Sequence, residues 1–274
     1  MNGEKNRLDR ILNPDTHKVV IVAIDHGMMM GGLPGIRDIK ETIKVIVREE
    51  PEGVLMGYGI AKKFHTLFSE KRSPSIILRA DYITSMIPIK PPEVERYGLV
   101  ANVQEALRLG ADAIMLFLVL GLKNSEALMR NIEAIASTSE ECEKSGLPLY
   151  VEPTLWGENI PKEEKNKIEF IRDACRIAVE LGADIIKAPY TGDSKTFAEV
   201  IKSCPVPVTI WGGPKMKTSR DVLETGKEAI AAGAIGVVFG RNIWQHPKPT
   251  NMIRAIKKIV HEDVGVDEAL KEIE

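Results

Sequence analysis

The chain has 274 residues, 44% of them hydrophobic and 28% charged, with a formal net charge of −2. That length suits one α/β barrel, and the near-cancelled charge leaves no global field to hold the protein on nucleic acid or an anionic membrane. Three widely spaced cysteines, Cys142, Cys175 and Cys204, form no CxxC pair, and residues 1–13 carry no apolar signal region. The expectation is a cytoplasmic protein with no membrane span that acts on a small molecule.

A short helix is predicted over Asn6 to Leu12, in a lead-in of residues 1–18 that closes the bottom of the fold. Beyond it, short β-branched runs alternate with stretches of helical periodicity, the pattern of parallel βαβ units. The runs are Val19 to Ile24, Gly53 to Met56, Ser75 to Ala80, Ala113 to Phe117, Pro148 to Glu152, Asp184 to Ala188, Val208 to Trp211 and Gly236 to Phe239. Most are apolar without alternation, as expected of strands covered on both faces. Helical periodicity marks Asn124 to Ser145, Lys167 to Leu181 and Thr218 to Ala232. One joint recurs three times: Leu109-Gly110-Ala111, Leu181-Gly182-Ala183 and Ala232-Gly233-Ala234 each put a glycine at a helix C-cap just before a strand.

Eight such units with no dividing linker predict one domain over residues 1–274, a (β/α)8 TIM barrel. An open dinucleotide-binding sheet would carry its glycine fingerprint after the first strand, where Asp25-His26-Gly27 stands instead. The least regular stretches are Met28 to Gly35, Tyr82 to Tyr97 and Pro153 to Lys165. All follow strand C-terminal ends, the face where barrels carry their sites.

Lys187 ends the sixth run. A lysine pointing into a barrel is costly to bury as a cation, and the neutral amine that desolvation favours forms imines with ketones and aldehydes. The alternative is a lysine that snorkels to solvent. Asp25 closes the first run on the same face, where it could hold the protonated amine or move protons, or merely cap the next loop. His26 is more readily a hydrogen-bonded structural residue than a base. Gly212, Gly213 and Lys215 follow the seventh run, and Gly240 and Arg241 the eighth. Loops after strands seven and eight are where barrels bind phosphate, so this set predicts a phosphate cradle. The five histidines show no HxH or HExxH spacing, and no metal or other cofactor is expected.

Together, Asp25-His26-Gly27, Lys187 with Tyr190-Thr191-Gly192-Asp193, Gly212-Gly213-Pro214-Lys215 and Gly240 to His246 resemble the archaeal-type class I aldolase family over nearly the whole chain. That family includes fructose-bisphosphate aldolases, aminodideoxyheptulosonate synthases and a quorum-signal thiolase. The resemblance implies a Schiff base on Lys187 assisted by Asp25, phosphate held by the last two motifs, and a homo-oligomer, commonly a decamer. One segment departs from the pattern. Where the aldolases carry Tyr-Pro-Arg-Gly after the fifth strand, this chain has Thr154 at the tyrosine position and Trp156 at the arginine position, within Glu152-Pro153-Thr154-Leu155-Trp156-Gly157.

A threonine hydroxyl is too weak an acid for a phenol's proton transfer, so ordinary fructose-bisphosphate cleavage is not expected. Glu152 or Tyr190 would take that work, and His26 and Trp156 would join the substrate-binding residues. Leu78-Arg79-Ala80 is similar to the thiolase branch, which also lacks the tyrosine. The leading expectation is a Schiff-base carbon–carbon lyase or transferase acting on a small phosphorylated ketose or dicarbonyl. A thiolase-type acyl transferase and a non-catalytic phosphosugar-binding barrel are the alternatives.

Overall fold

A computed structural model describes residues 2–84 and 96–274. Eight parallel strands close into a barrel: β1 (Val19–Ala23), β2 (Gly53–Gly57), β3 (Ser75–Arg79), β6 (Ala113–Val119), β7 (Leu149–Thr154), β8 (Ile185–Ala188), β9 (Val208–Trp211) and β10 (Gly236–Phe239). All eight expected runs are strands, two of them (Val208–Trp211 and Gly236–Phe239) with the expected bounds and six shifted by one or two residues at one end or both. The intervening β4 (Asp81–Ile83) and β5 (Tyr97–Leu99) form an antiparallel pair outside the barrel wall. The sequence reads this region only as irregular, and residues 85–95 of that stretch lie outside the described residues.

Each barrel strand steps its side chains to opposite faces. Val20, Val54, Ile76, Ile114, Val151, Ile186 and Val237 pack outward with the helices in the main core. Val19, Ile21, Leu55, Ile77, Met115, Tyr150, Ile185 and Val238 fill the lower barrel interior. Both sets are apolar, which is why no alternation is visible in the sequence.

Helix α1 (Asn2–Ile11) lies beneath that interior, with Leu8, Ile11 and Leu12 packed into the same cluster. It starts earlier than Asn6. The predicted outer helices are α6 (Ser125–Ser145), α7 (Ile168–Glu180) and α9 (Ser219–Ala231). The recurring joint has a common geometry: Gly110, Gly182 and Gly233 all adopt positive φ, at +73°, +96° and +105°. A Cβ there would be strained, so glycine lets each helix turn at once into the next strand. Among the described residues, no helix is long and apolar enough to cross a membrane.

Candidate active site

The interior step that places Tyr150 on β7 and Ile185 on β8 in the lower layer places Glu152 and Lys187 in the layer above. Lys187 Nζ donates to Glu152 Oε2 at 2.9 Å, with both side chains buried. Arg79, the last residue of β3, lies between the carboxylates and is fully buried. Its guanidinium donates to Asp25 Oδ2 at 3.1 Å, to Glu152 Oε2, to Met115 Sδ at 3.2 Å and, more loosely, to Asp81 Oδ1 at 3.5 Å. Its flat face covers Phe117, with Cζ 3.6 Å from the ring centre. A buried cation is tolerable only when paired and hydrogen-bonded throughout, and Arg79 meets that condition.

Asp81, at the root of the β4–β5 pair, accepts from the Phe117 amide at 2.6 Å and from the Tyr97 hydroxyl at 2.8 Å. Burial lifts its carboxyl to about 6, with Arg79 opposing the rise. At Asp25 burial also pushes upward, but His26 and the charges of Arg79 and Lys187 outweigh it and hold the group below the usual carboxylate range. His26 Nδ1 stands 3.4 Å from Asp25 Oδ1, a polar approach too poorly directed for a hydrogen bond. The His26 ring meets Trp244 edge-on at 5.3 Å.

These groups open upward into a cavity of about 410 Å³ at the C-terminal face of the barrel. Asp25, His26, Glu152, Trp156, Lys187, Gly212, Gly213, Gly240 and Arg241 all line it. Gly240 introduces the short α10 (Arg241–Trp244) and is needed for close approach. A Cβ there would sit 2.6 Å from His26 Cε1 and 2.7 Å from the Ala23 carbonyl oxygen. The buried Asn242, which the sequence reading leaves without a role, clasps the two glycine loops together. Its amide donates to the Gly212 carbonyl and accepts from the Met216 amide, both at 2.8 Å. Among the described residues, Arg241 Nε is buried without a hydrogen bond, and burial pulls its pKa down.

Two expected residues lie elsewhere. Tyr190 turns away from the cavity just after β8, packs edge-on against Phe197 of α8 (Ser194–Ser203), and donates its hydroxyl to Glu228 of α9 at 2.8 Å. Burial and the Glu228 charge raise its pKa, making it a poorer acid than a free phenol. It is therefore unsuited to proton transfer at Lys187. Lys215 also misses the cavity lining: its ammonium donates to the Gln245 carbonyl at 2.9 Å, which ties the seventh loop to the eighth. Thr154 is buried, and its hydroxyl bonds the Leu118 carbonyl at 3.3 Å on the neighbouring strand.

A barrel whose sixth strand carries a lysine into a carboxylate-lined cavity defines a class of enzyme, the lysine-imine or class I aldolases. The chain belongs to the DeoC/LacD family of aldolases, whose family model matches residues 19–246. It is 34% identical to an uncharacterized aldolase of Saccharolobus solfataricus over 99% of both chains. It is 30% identical to the 3-hydroxy-5-phosphonooxypentane-2,4-dione thiolase of an Enterobacter species, over 98% of this chain and 85% of the relative. Among solved structures it superposes at a TM-score of 0.79 and 31% identity on an archaeal fructose-1,6-bisphosphate aldolase whose catalytic lysine is bound to the substrate as the carbinolamine. That match covers 94% of this chain and 99% of the other.

Proposed function

We propose that Lys187 forms the imine with a small phosphorylated ketose or dicarbonyl, and that Glu152 moves the protons. The observation that carries this reading is the 2.9 Å contact between Lys187 Nζ and Glu152 Oε2 inside the cavity. Glu152 takes the ammonium proton, and the neutral amine adds to the substrate carbonyl. The carbinolamine oxygen then leaves as water with the returned proton. The protonated imine accepts the electron pair of the breaking carbon–carbon bond, while the substrate hydroxyl gives its proton to Glu152.

Asp25, held anionic, stabilises the cationic imine, and His26 packs against it. The phosphate sits between the Gly212-Gly213 loop and Gly240 with Arg241, whose buried, unpaired Nε favours an anion there. Trp156 forms part of the substrate wall. The enzyme works in the cytoplasm, which suits three buried free cysteines. It works as a homo-oligomer, for which the exposed Met129 and Ile177 on α6 and α7 offer apolar contact.

The test is borohydride reduction with a panel of phosphorylated ketones and dicarbonyls, read by intact mass and peptide mapping. The expected result is one adduct on Lys187. Labelling of another lysine, or undiminished labelling of Lys187→Ala, would overturn the assignment. The thiolase-type reading is the second candidate, supported by Thr154 standing where the aldolases have a phenolic acid. Transfer of an acyl group to a thiol, with no retro-aldol product, would favour it.

A further inference from the structure

The cavity divides into a charged part and a bare part. Asp25, His26, Glu152 and Lys187 make up the charged part, and the two glycine loops with Arg241 line the cavity beside them. Much of the remaining wall is apolar, built from Met29, Met30, Phe117, Leu155, Trp156 and Trp211, with Lys165 and Asn166 as its polar members. Trp156 and Trp211 stack at 5.5 Å between ring centres with 21° between planes, and Phe117 meets Trp156 at 5.2 Å and 55°. Because β8 runs between β7 and β9, this stack spans the strand that carries Lys187.

Such a wall offers dispersion and aromatic faces but few hydrogen bonds. A polyhydroxylated chain laid against it would lose water partners without replacement, which disfavours a sugar there. A second phosphate would need a cation. At the position where the resembling aldolases place arginine there is Trp156, and Lys165, which also lines the cavity, has its ammonium drawn to the Trp156 carbonyl at 3.1 Å.

We infer that the carbonyl fragment added or released by the imine is an uncharged aldehyde with a flat or apolar substituent, seated against Trp156 and Trp211. The inference rests on the Lys187 imine proposed above. In the addition direction, the imine of the phosphorylated ketone loses a carbon-bound proton to become an enamine, whose carbon attacks the aldehyde carbon. The aldehyde oxygen takes up that proton, and water frees the product from the lysine. Cleavage is the reverse, and no oxidant or reductant is required.

The test uses the parent protein with dihydroxyacetone phosphate as donor and either benzaldehyde or glyceraldehyde 3-phosphate as acceptor, with adducts read by mass spectrometry. Benzaldehyde should be preferred by about tenfold in kcat/KM, the upper end of what one aromatic contact supplies. Trp156→Ala should abolish that preference, chiefly by raising the benzaldehyde KM, and Trp156→Phe should keep most of it. Independently of turnover, benzaldehyde should quench the parent's tryptophan fluorescence saturably. Equal or better use of glyceraldehyde 3-phosphate, an unchanged ratio in a folded Trp156→Ala, or unsaturable quenching would overturn the inference. Borohydride labelling of Lys187 separates the two ideas. A labelled lysine without apolar preference removes this inference alone. No label with dihydroxyacetone phosphate or any other ketone of the panel removes the imine reading, and this inference with it.

Discussion

Arg79 and Lys187 donate to the same oxygen of Glu152. One donor is a permanent cation and the other is the amine that must lose its proton to react. Arg79 thus stays behind when Lys187 is consumed by the substrate, and Glu152 keeps a positive partner throughout the cycle.

Removing Arg79 should therefore harm both folding and chemistry. Arg79→Met leaves Asp25, Asp81 and Glu152 without their shared cation, and breaking a buried pair in this way costs about 3–5 kcal/mol. Urea unfolding measures the loss. Arg79→Lys keeps the charge but not the planar fork, so it should recover only part of the stability. A stability of Arg79→Met equal to the parent's would contradict the network described here.

Glu152→Gln should lower kcat by about a hundredfold to ten-thousandfold on the best substrate found, the usual cost of removing a positioned acid–base group. Tyr190→Phe should stay close to the parent, since its hydroxyl is committed to Glu228 outside the cavity. Steady-state kinetics on the two variants decides between the residues. Fructose 1,6-bisphosphate should be cleaved poorly by the parent, and efficient cleavage would refute the substrate reading.

Stability should also depend on pH in a defined sense. Burial lifts Asp81 from an ordinary 3.8 to about 6, and Asp184 also to about 6. The folded state binds these protons more tightly than the unfolded chain. Their contribution is complete below about pH 4 and is lost as pH rises through about 6. Asp25, held low, works in the opposite sense, and its contribution is lost only as pH falls through its depressed folded value. Asp81→Asn should flatten the decline between about pH 4 and 6 by up to one proton, roughly 1.4 kcal/mol per pH unit. Urea melts across that range would show it, and an unchanged slope would mean Asp81 does not titrate there.

Arg241→Ala should weaken the phosphorylated substrate by roughly tenfold or more, because a charge-assisted contact to phosphate is lost, while the melting temperature changes little. Lys215→Ala, whose ammonium bonds the Gln245 carbonyl, should change KM far less. The two KM values measured side by side test the corrected cradle.

The barrel was legible in the sequence because its signals are local: β-branched runs, helical periodicity and glycine at repeated helix ends all act within a few residues. Lys187 and Asp25 were legible for the same reason, each standing where an apolar run stops. Arg79 was harder. Its partners Asp25 and Glu152 lie 54 and 73 residues away, and only barrel closure brings them together. The sequence shows it within the Leu78-Arg79-Ala80 likeness, and nothing local announces Asp25, Met115 or Phe117 as its partners. Asp81 belongs to a strand pair that no periodicity announces. Tyr190 and Lys215 fail for a different reason: a motif gives a position in a loop, while the direction of its side chain is set by helices and loops far along the chain.

The helix beneath the barrel has a consequence for the order of events. With Leu8, Ile11 and Leu12 sealing the lower interior, the described residues open Lys187 to the cavity at the C-terminal face. The enamine that attacks has to be formed on the lysine before its partner can react. The ketone that bonds to the lysine must enter before its partner, and after cleavage the untethered fragment must depart first. Initial-rate patterns should therefore be those of an ordered sequence, with the lysine-bound half entering first and leaving last.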